Sequence, residues 1–307
     1  MSTLWSLMLQ QGSVGAQGAS GAAGIDGFTC GGRLTLLTGT PIPTTDLTGI
    51  GTLYFTPYLS TFVSLYNGSS WVRTTFAEVA LTLSLTSGKP YDIFLYSNSG
   101  TLTLEAVVWT SNTARATALD LQDGVYVKNG AHTHLYVGTI YASGTNTCED
   151  SAANRYVWNC YNRVAKPLRK FESTTSWTYA TASWRAANNS SANAVAIVTG
   201  LACDVHVEAR AMNGGTTANT NTRGIGISKG SPASGTSNDA DSWGTNNSGS
   251  VALQLEASVD EIAAPGYHNY IWVEYGGATS ANATFYGTVA VGNIGAGVGG
   301  ITGIHWC

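Results

Sequence analysis

Gly12-Ser-Val-Gly15-Ala-Gln-Gly18-Ala-Ser-Gly21-Ala-Ala-Gly24-Ile-Asp-Gly27 holds glycine at every third position and at none of the positions between. With 37 glycines in 307 residues, six in strict register are not an effect of composition. A collagen triple helix needs this period, because only a hydrogen side chain fits where three chains crowd one axis. The repeat therefore predicts a homotrimer. The alternative reading of the same residues is a flexible Gly/Ala/Ser linker. No proline occupies an X or Y position, so the stalk is not pre-set in polyproline II geometry. At about 3.1 Å per residue it extends roughly 50 Å. So short a stalk trimerises only where a neighbouring globular trimer holds three chains at high effective concentration.

On the N-terminal side of the stalk, Met1 to Gln11 is apolar but has no basic n-region and no convincing cleavage site, so it is a poor signal peptide. Leu4, Leu7 and Met8 share one helical face, with Trp5 beside it. An apolar peptide in front of a thin stalk has no core of its own to join. It reads as a plug that docks into another protein, or else as a frayed terminus.

Composition narrows the class. Charged residues make up 10% of the chain against a usual figure of about 25%, and Thr, Ser, Asn and Gly take their place beside 15 Tyr and 9 Trp. That is the profile of β-rich extracellular or virion fibre proteins. A net charge of -4 argues against nucleic-acid binding, which calls for a basic patch. No run of 18 apolar residues is present, so membrane insertion by a helix is not expected. Cys30, Cys148, Cys160, Cys203 and Cys307 lack metal-ligand spacing. Reduced, buried thiols are the default for them, with Cys148–Cys160 as one conceivable pair.

After Gly32 the apolar pattern changes to period two, the signature of strands. Three hairpins are predicted: Thr61 to Phe76 around Asn67-Gly68, Tyr91 to Trp109 around Asn98 to Gly100, and Val125 to Ala142 around Asn129-Gly130. Phe76 to Leu85 and Asn154 to Val164 are ambiguous and could be short helices. The basic, proline-bearing Arg163-Val-Ala-Lys-Pro-Leu-Arg-Lys170 reads as a boundary. Beyond it, eight further strands suit a jelly roll or related sandwich, with a long polar loop from Gly230 to Gly249 and a buried closing strand at Ile301 to Trp306. The expected layout is an all-β homotrimer: anchor 1–11, stalk 12–29, first β domain 30–165, and a jelly-roll-like β domain 166–307.

Candidate chemistry is sparse. His132 and His134 sit at i and i+2, so on a strand both imidazoles face one way. Near a threefold axis three copies would supply six ring nitrogens, a set that suits an octahedral transition metal; otherwise they are a hairpin-edge pair facing water. Asp204, His206 and Glu208 alternate opposite Val205 and Val207, which reads as a solvated strand face before it reads as an acid/base or metal site. Trp243, within the polar loop beside Asp239, Asp241, Asn246 and Asn247, is the preferred aromatic for stacking on a sugar ring. No nucleophile elbow, P-loop, H-E-x-x-H or dinucleotide motif is present. Catalysis is not expected, and no cofactor beyond a metal on the trimer axis.

Several stretches sharpen the picture: Gly31 to Tyr58 (GGRLTLLTGTPIPTTDLTGIGTLYFTPY), Asn154 to Leu168 (NRYVWNCYNRVAKPL), Ser176 to Val195 (SWTYATASWRAANNSSANAV), Ala264 to Gly277 (APGYHNYIWVEYGG) and Gly299 to Trp306 (GGITGIHW). With the apolar peptide and the triplet stalk, they resemble segments of tailed-bacteriophage tail- and head-fibre proteins. The layout is also similar to collagen-stalked spore-surface proteins and to complement-type heads with a tumour necrosis factor-like jelly roll. What the resemblance implies is a trimeric appendage on the virion surface, attached to other virion proteins by its N-terminus and presenting its C-terminal domains to host surface glycans. Two alternatives stand beside it: a capsid head fibre or decoration protein, and an enzyme that degrades capsular polysaccharide.

Overall fold

From Gly32 onward the protein is all-β: among the described residues strands account for the regular structure, apart from one 3-10 turn at Ala187–Asn189. The computed structural model describes residues 28–214, 222–231, 240–245, 253–277, 284–290, 296–297 and 299–307. The expected anchor residues Leu4, Trp5, Leu7 and Met8 and the triplet glycines Gly12, Gly15, Gly18, Gly21, Gly24 and Gly27 lie outside them.

The three predicted hairpins form. Phe62–Tyr66 pairs with Trp71–Thr75, Pro90–Asn98 with Thr101–Val108, and Val125–Lys128 with Ala131–Gly144. In the second, Ser99 and Gly100 both take positive φ (50° and 90°), the two-residue loop whose twist matches that of paired strands. Asp123-Gly124 does the same between Leu119–Gln122 and Val125–Lys128. The two segments that could have been helices are strands instead: Val79–Thr82 pairs with Thr52–Pro57, and Asn154–Arg155 and Val157–Asn159 join the large sheet. Their alternation is short and interrupted, so sheet partners rather than local propensity settle the conformation.

A 14-stranded sheet runs from Ala240–Thr245 through Gly266–Tyr275, Ala194–Thr199 and Ala131–Gly144 to Leu119–Gln122. It continues across residue 165, where the sequence suggested a boundary, because Asn154–Arg155 pairs in parallel with Ala194–Thr199. Its central strands are buried on both sides. Ile93, Leu95, Leu135 and Val137 face one core, while Phe94, Tyr136, Trp158 and Val198 face another. Strands covered on two faces read as unbroken apolar runs and lose the alternation.

A six-stranded sheet built on Ala165–Phe171, Gly300–Trp306, Cys203–Gly214 and Leu253–Ala263 covers the second half. Val205, Val207, Ala209, Leu255, Ala257 and Ile301 point inward against Ile197, Ile225, Ile227 and Trp272 of the large sheet. The closing strand is half of what its sequence suggested: Ile301 and His305 are buried, while Ile304 and Trp306 face outward. All five cysteines are free; four are buried and Cys160 is half-buried.

His305 is fully buried, and neither ring nitrogen makes a well-formed hydrogen bond. Burial lowers its pKa to about 3, and the Val198 backbone, which favours the charged form, only partly offsets this. An unfolded histidine takes up a proton near pH 6.5, and the folded one does so only near 3. The unfolded state therefore binds the extra proton in that window. Stability is expected to fall with acidification by about 1.4 kcal/mol per pH unit from this residue alone. Denaturation of the wild type and of His305→Leu from pH 7 to 4 checks this: the slope should be shallower in the variant.

Candidate functional site

Thr101–Val108 ends at Trp109, and the chain reverses at once. Ser111 Oγ accepts hydrogen bonds from the backbone N–H of Thr113 (3.3 Å) and Ala114 (3.1 Å), and Thr110 N–H donates to Ala114 O at 2.9 Å. Serine at the head of such a turn offers its hydroxyl in place of a backbone acceptor. The reversal brings Arg115 opposite Trp109 in an isolated bridge. The Arg115 guanidinium then lies 4.4 Å from the Trp109 ring centroid, within cation–π range.

Below that stack lies a closed polar network. Arg115 donates from Nε to Asp92 Oδ2 at 2.6 Å, and from Nη2 to Asp92 Oδ1 at 3.2 Å and Gly200 O at 2.5 Å. Thr139 Oγ1 donates to Asp92 Oδ1 at 2.7 Å, and the Tyr136 hydroxyl shares a 2.5 Å bond with Thr139 Oγ1. Burial pushes the Asp92 carboxyl upward against the pull of Arg115 and Thr139, and pushes the Tyr136 hydroxyl well up. Burial also works against the charge on Arg115, but the Asp92 bonds outweigh it and hold the guanidinium protonated. Bidentate pairing fixes the arginine plane, which makes it a rigid floor.

The second half of the chain supplies the opposite wall. Gly266, at φ +145°, sits where an added Cβ would lie 2.6 Å from Asn112 O, and Tyr267 N–H donates to that oxygen at 2.9 Å. Only glycine lets the 110–114 reversal approach so closely. The result is a depression of about 670 Å³ walled by Trp109, Arg115, Leu119, Tyr126, Leu201 and His268. His268 Nε2 donates to Ala264 O at 2.7 Å. The lining presents aromatic and apolar faces with one guanidinium and one imidazole, a composition that suits a ring carrying both C–H and O–H groups. It contains no carboxylate pair of the kind glycoside cleavage uses.

The residues singled out from sequence lie elsewhere. His132 and His134 share a face of Ala131–Gly144. His132 Nδ1 meets Gln122 Oε1 and Nε2 meets Asp120 Oδ2, both at 2.9 Å. His134 stacks on Tyr96 with ring centroids 4.2 Å apart, and its Nε2 is 3.7 Å from Glu105 Oε2. Burial lowers the His134 pKa, against Glu105. Among the described residues no three His, Cys, Asp or Glu side chains gather as a metal-ligand group. His206 pairs with Asp260 at 2.6 Å on the outward face of Cys203–Gly214, the solvated arrangement the alternation predicted.

The expected loop from Gly230 to Gly249 is corrected in part. Ala240–Thr245 is a strand paired with Thr222–Lys229, which puts Trp243 opposite Gly224. Alternation there is masked by small polar residues, and the pairing partner decides. Asp239 and Asn246 lie outside the described residues, as do the side chains of Asp241 and Trp243.

Sequence reasoning missed the depression because its walls come from four separate segments. The one local signal was the Trp-x5-Arg spacing around Ser111.

No family model matches this chain, and no curated protein is similar to it. Solved structures that match include a Bacillus thuringiensis Cry1Da tryptic core variant, 7% identical over 80% of this chain and 51% of that one, with a TM-score of 0.18. The mosquito-larvicidal Cry4Aa toxin from Bacillus thuringiensis also matches, 7% identical over 85% and 51%, with a TM-score of 0.20. The chain spans about half the length of these two structures. Likeness at that level carries no inference about this protein.

Proposed function

We propose that this chain is a structural virion fibre of a bacteriophage, a homotrimer anchored by its N-terminal peptide and spaced from the particle by the triplet stalk. One observation carries the reading: a six-glycine Gly-X-Y register runs directly into an all-β body. In its second half a six-stranded sheet packs against part of the large sheet, a layering compatible with the expected jelly roll. The body contacts host surface glycans, and the depression over Arg115 and Trp109 is the contact point. Rigid aromatic walls and a fixed guanidinium suit a pyranose ring, and three copies turn weak contacts into avidity.

Binding of the full chain to purified host surface polysaccharide tests this. Tyr126 is half-buried at the rim, so Tyr126→Ala is expected to weaken binding at least tenfold without unfolding the chain. Equal binding by wild type and variant would remove the depression from the account. Polysaccharide shortened on incubation would instead favour the degrading enzyme.

A further inference from the structure

Four large apolar side chains stand exposed on one face of the six-stranded sheet: Ile262 at 72%, Trp306 at 49%, Ile304 at 47% and Phe171 at 41%. Ile262, Ile304 and Trp306 line one surface depression together with Asp204 and His206, while Phe171 lies four residues beyond Pro167 on its strand, opposite Gly300. His206 lies between Asp260 and Ile304, Pro167 is opposite Ile304, Ala165 is opposite Trp306, and Ile262 is opposite Asp204. The alternate residues of the same strands, Leu168, Val205, Val207 and Ile301, fill the core behind. Single exposed apolar residues are ordinary, whereas a contiguous strip marks a contact surface.

A second observation says what covers it. The face runs into a groove of about 770 Å³ walled by Tyr161, Arg163, Cys203, Ile262 and Trp306 among others. Tyr161 packs on Phe28 with ring centroids 5.5 Å apart. Phe28 is bonded to Gly27, the last glycine of the triplet register. The triplet register thus ends one residue before Phe28, whose ring packs on Tyr161 in the wall of this groove.

We propose that the face from Ile262 across Trp306 and Ile304 to Pro167 is the surface on which a second copy of this chain docks. The assignment rests on the three-chain reading of the repeat. Three chains wound on one axis at Gly27 bring their Phe28–Tyr161 ends together, which turns the adjoining groove and sheet face toward that axis. A threefold contact is heterologous, with one patch meeting a different patch on the next copy. The face is suited to that: Asp204 and Asp260 stand on one side of the Ile304–Trp306 strip and Arg169 on the other. The acidic side of one copy meets the basic side of its neighbour. Body contacts of this kind supply the effective concentration that a short, proline-free triple helix requires.

Sedimentation of the full chain at micromolar concentration tests the face. Wild type is expected near three times the 32.0 kDa chain mass, 3 × 32.0 = 96 kDa. Leu121→Asp, at a residue 54% exposed on the Leu119–Lys128 hairpin outside this face, should leave that mass unchanged. Ile262→Asp should sediment as a monomer with an unchanged far-ultraviolet circular dichroism spectrum. If it does not fold, Ile304→Thr reads the same contact: at least a tenfold rise in the concentration of half-dissociation supports the face, and no rise overturns it. Ile262→Asp remaining trimeric with wild-type tightness overturns the face and leaves the three-chain reading standing. A monomeric wild type overturns both.

Discussion

Replacing Asp150 with alanine is expected to lower the free energy of unfolding by about 3–5 kcal/mol. Its carboxylate is 2% exposed and is shared by two cations, Arg155 through Nη1 at 3.0 Å and Lys166 through Nζ. Both cations are themselves only 8% exposed. Arg155 also donates from Nε and Nη2 to Pro167 O at 3.1 and 2.9 Å, so the cluster ties the large sheet to Ala165–Phe171. Removing the carboxylate leaves two positive charges buried beside each other, and the cost is their lost compensation rather than one lost bond. Asp150→Asn, which keeps an acceptor but no charge, should fall between. Urea unfolding that shows the midpoint lowered at constant slope would agree; a change under 1 kcal/mol would not.

Asp92→Ala carries the second large effect, and it is structural and functional together. Asp92 is 2% exposed and makes two bonds to Arg115. Without it the guanidinium keeps Gly200 O and the Trp109 face but loses its counter-charge inside the protein, again about 3–5 kcal/mol. The floor of the depression is then no longer held, so polysaccharide binding should fall with stability. Tyr126→Ala separates the two, since it should remove binding alone. Loss of stability in Asp92→Ala with binding intact would show that the depression is not the glycan contact.

Much of the strand pattern was legible in the sequence, and the reasons are local. The hairpins at Asn67-Gly68, Ser99-Gly100 and Asn129-Gly130 are each marked by turn residues between β-prone runs, and that signal is local. Cys203–Gly214 alternates cleanly because one face is core and the other is solvated. Pro90–Asn98 and Ala131–Gly144 carry no such polarity, since they are covered on both sides. Asn154 to Val164 was ambiguous because its conformation is set by partners at Asp150, Ala196 and Gly138, not by its own residues. The candidate site was illegible for the same reason. Trp109 and Arg115 are near in sequence, but Asp92, Tyr126, Gly200 and His268 join them only once the strand register is set. The exposed strip was hidden inside a closing segment, Gly299 to Trp306, whose apolar composition reads as wholly buried. Alternation along that strand sends Ile301 inward and Ile304 with Trp306 outward.

The central claim is that three copies of this chain make one fibre. Sedimentation equilibrium of the full chain at micromolar concentration measures that directly. The account predicts a single species near 96 kDa, three times 32.0 kDa. A species of 32.0 kDa at every concentration tested would contradict it.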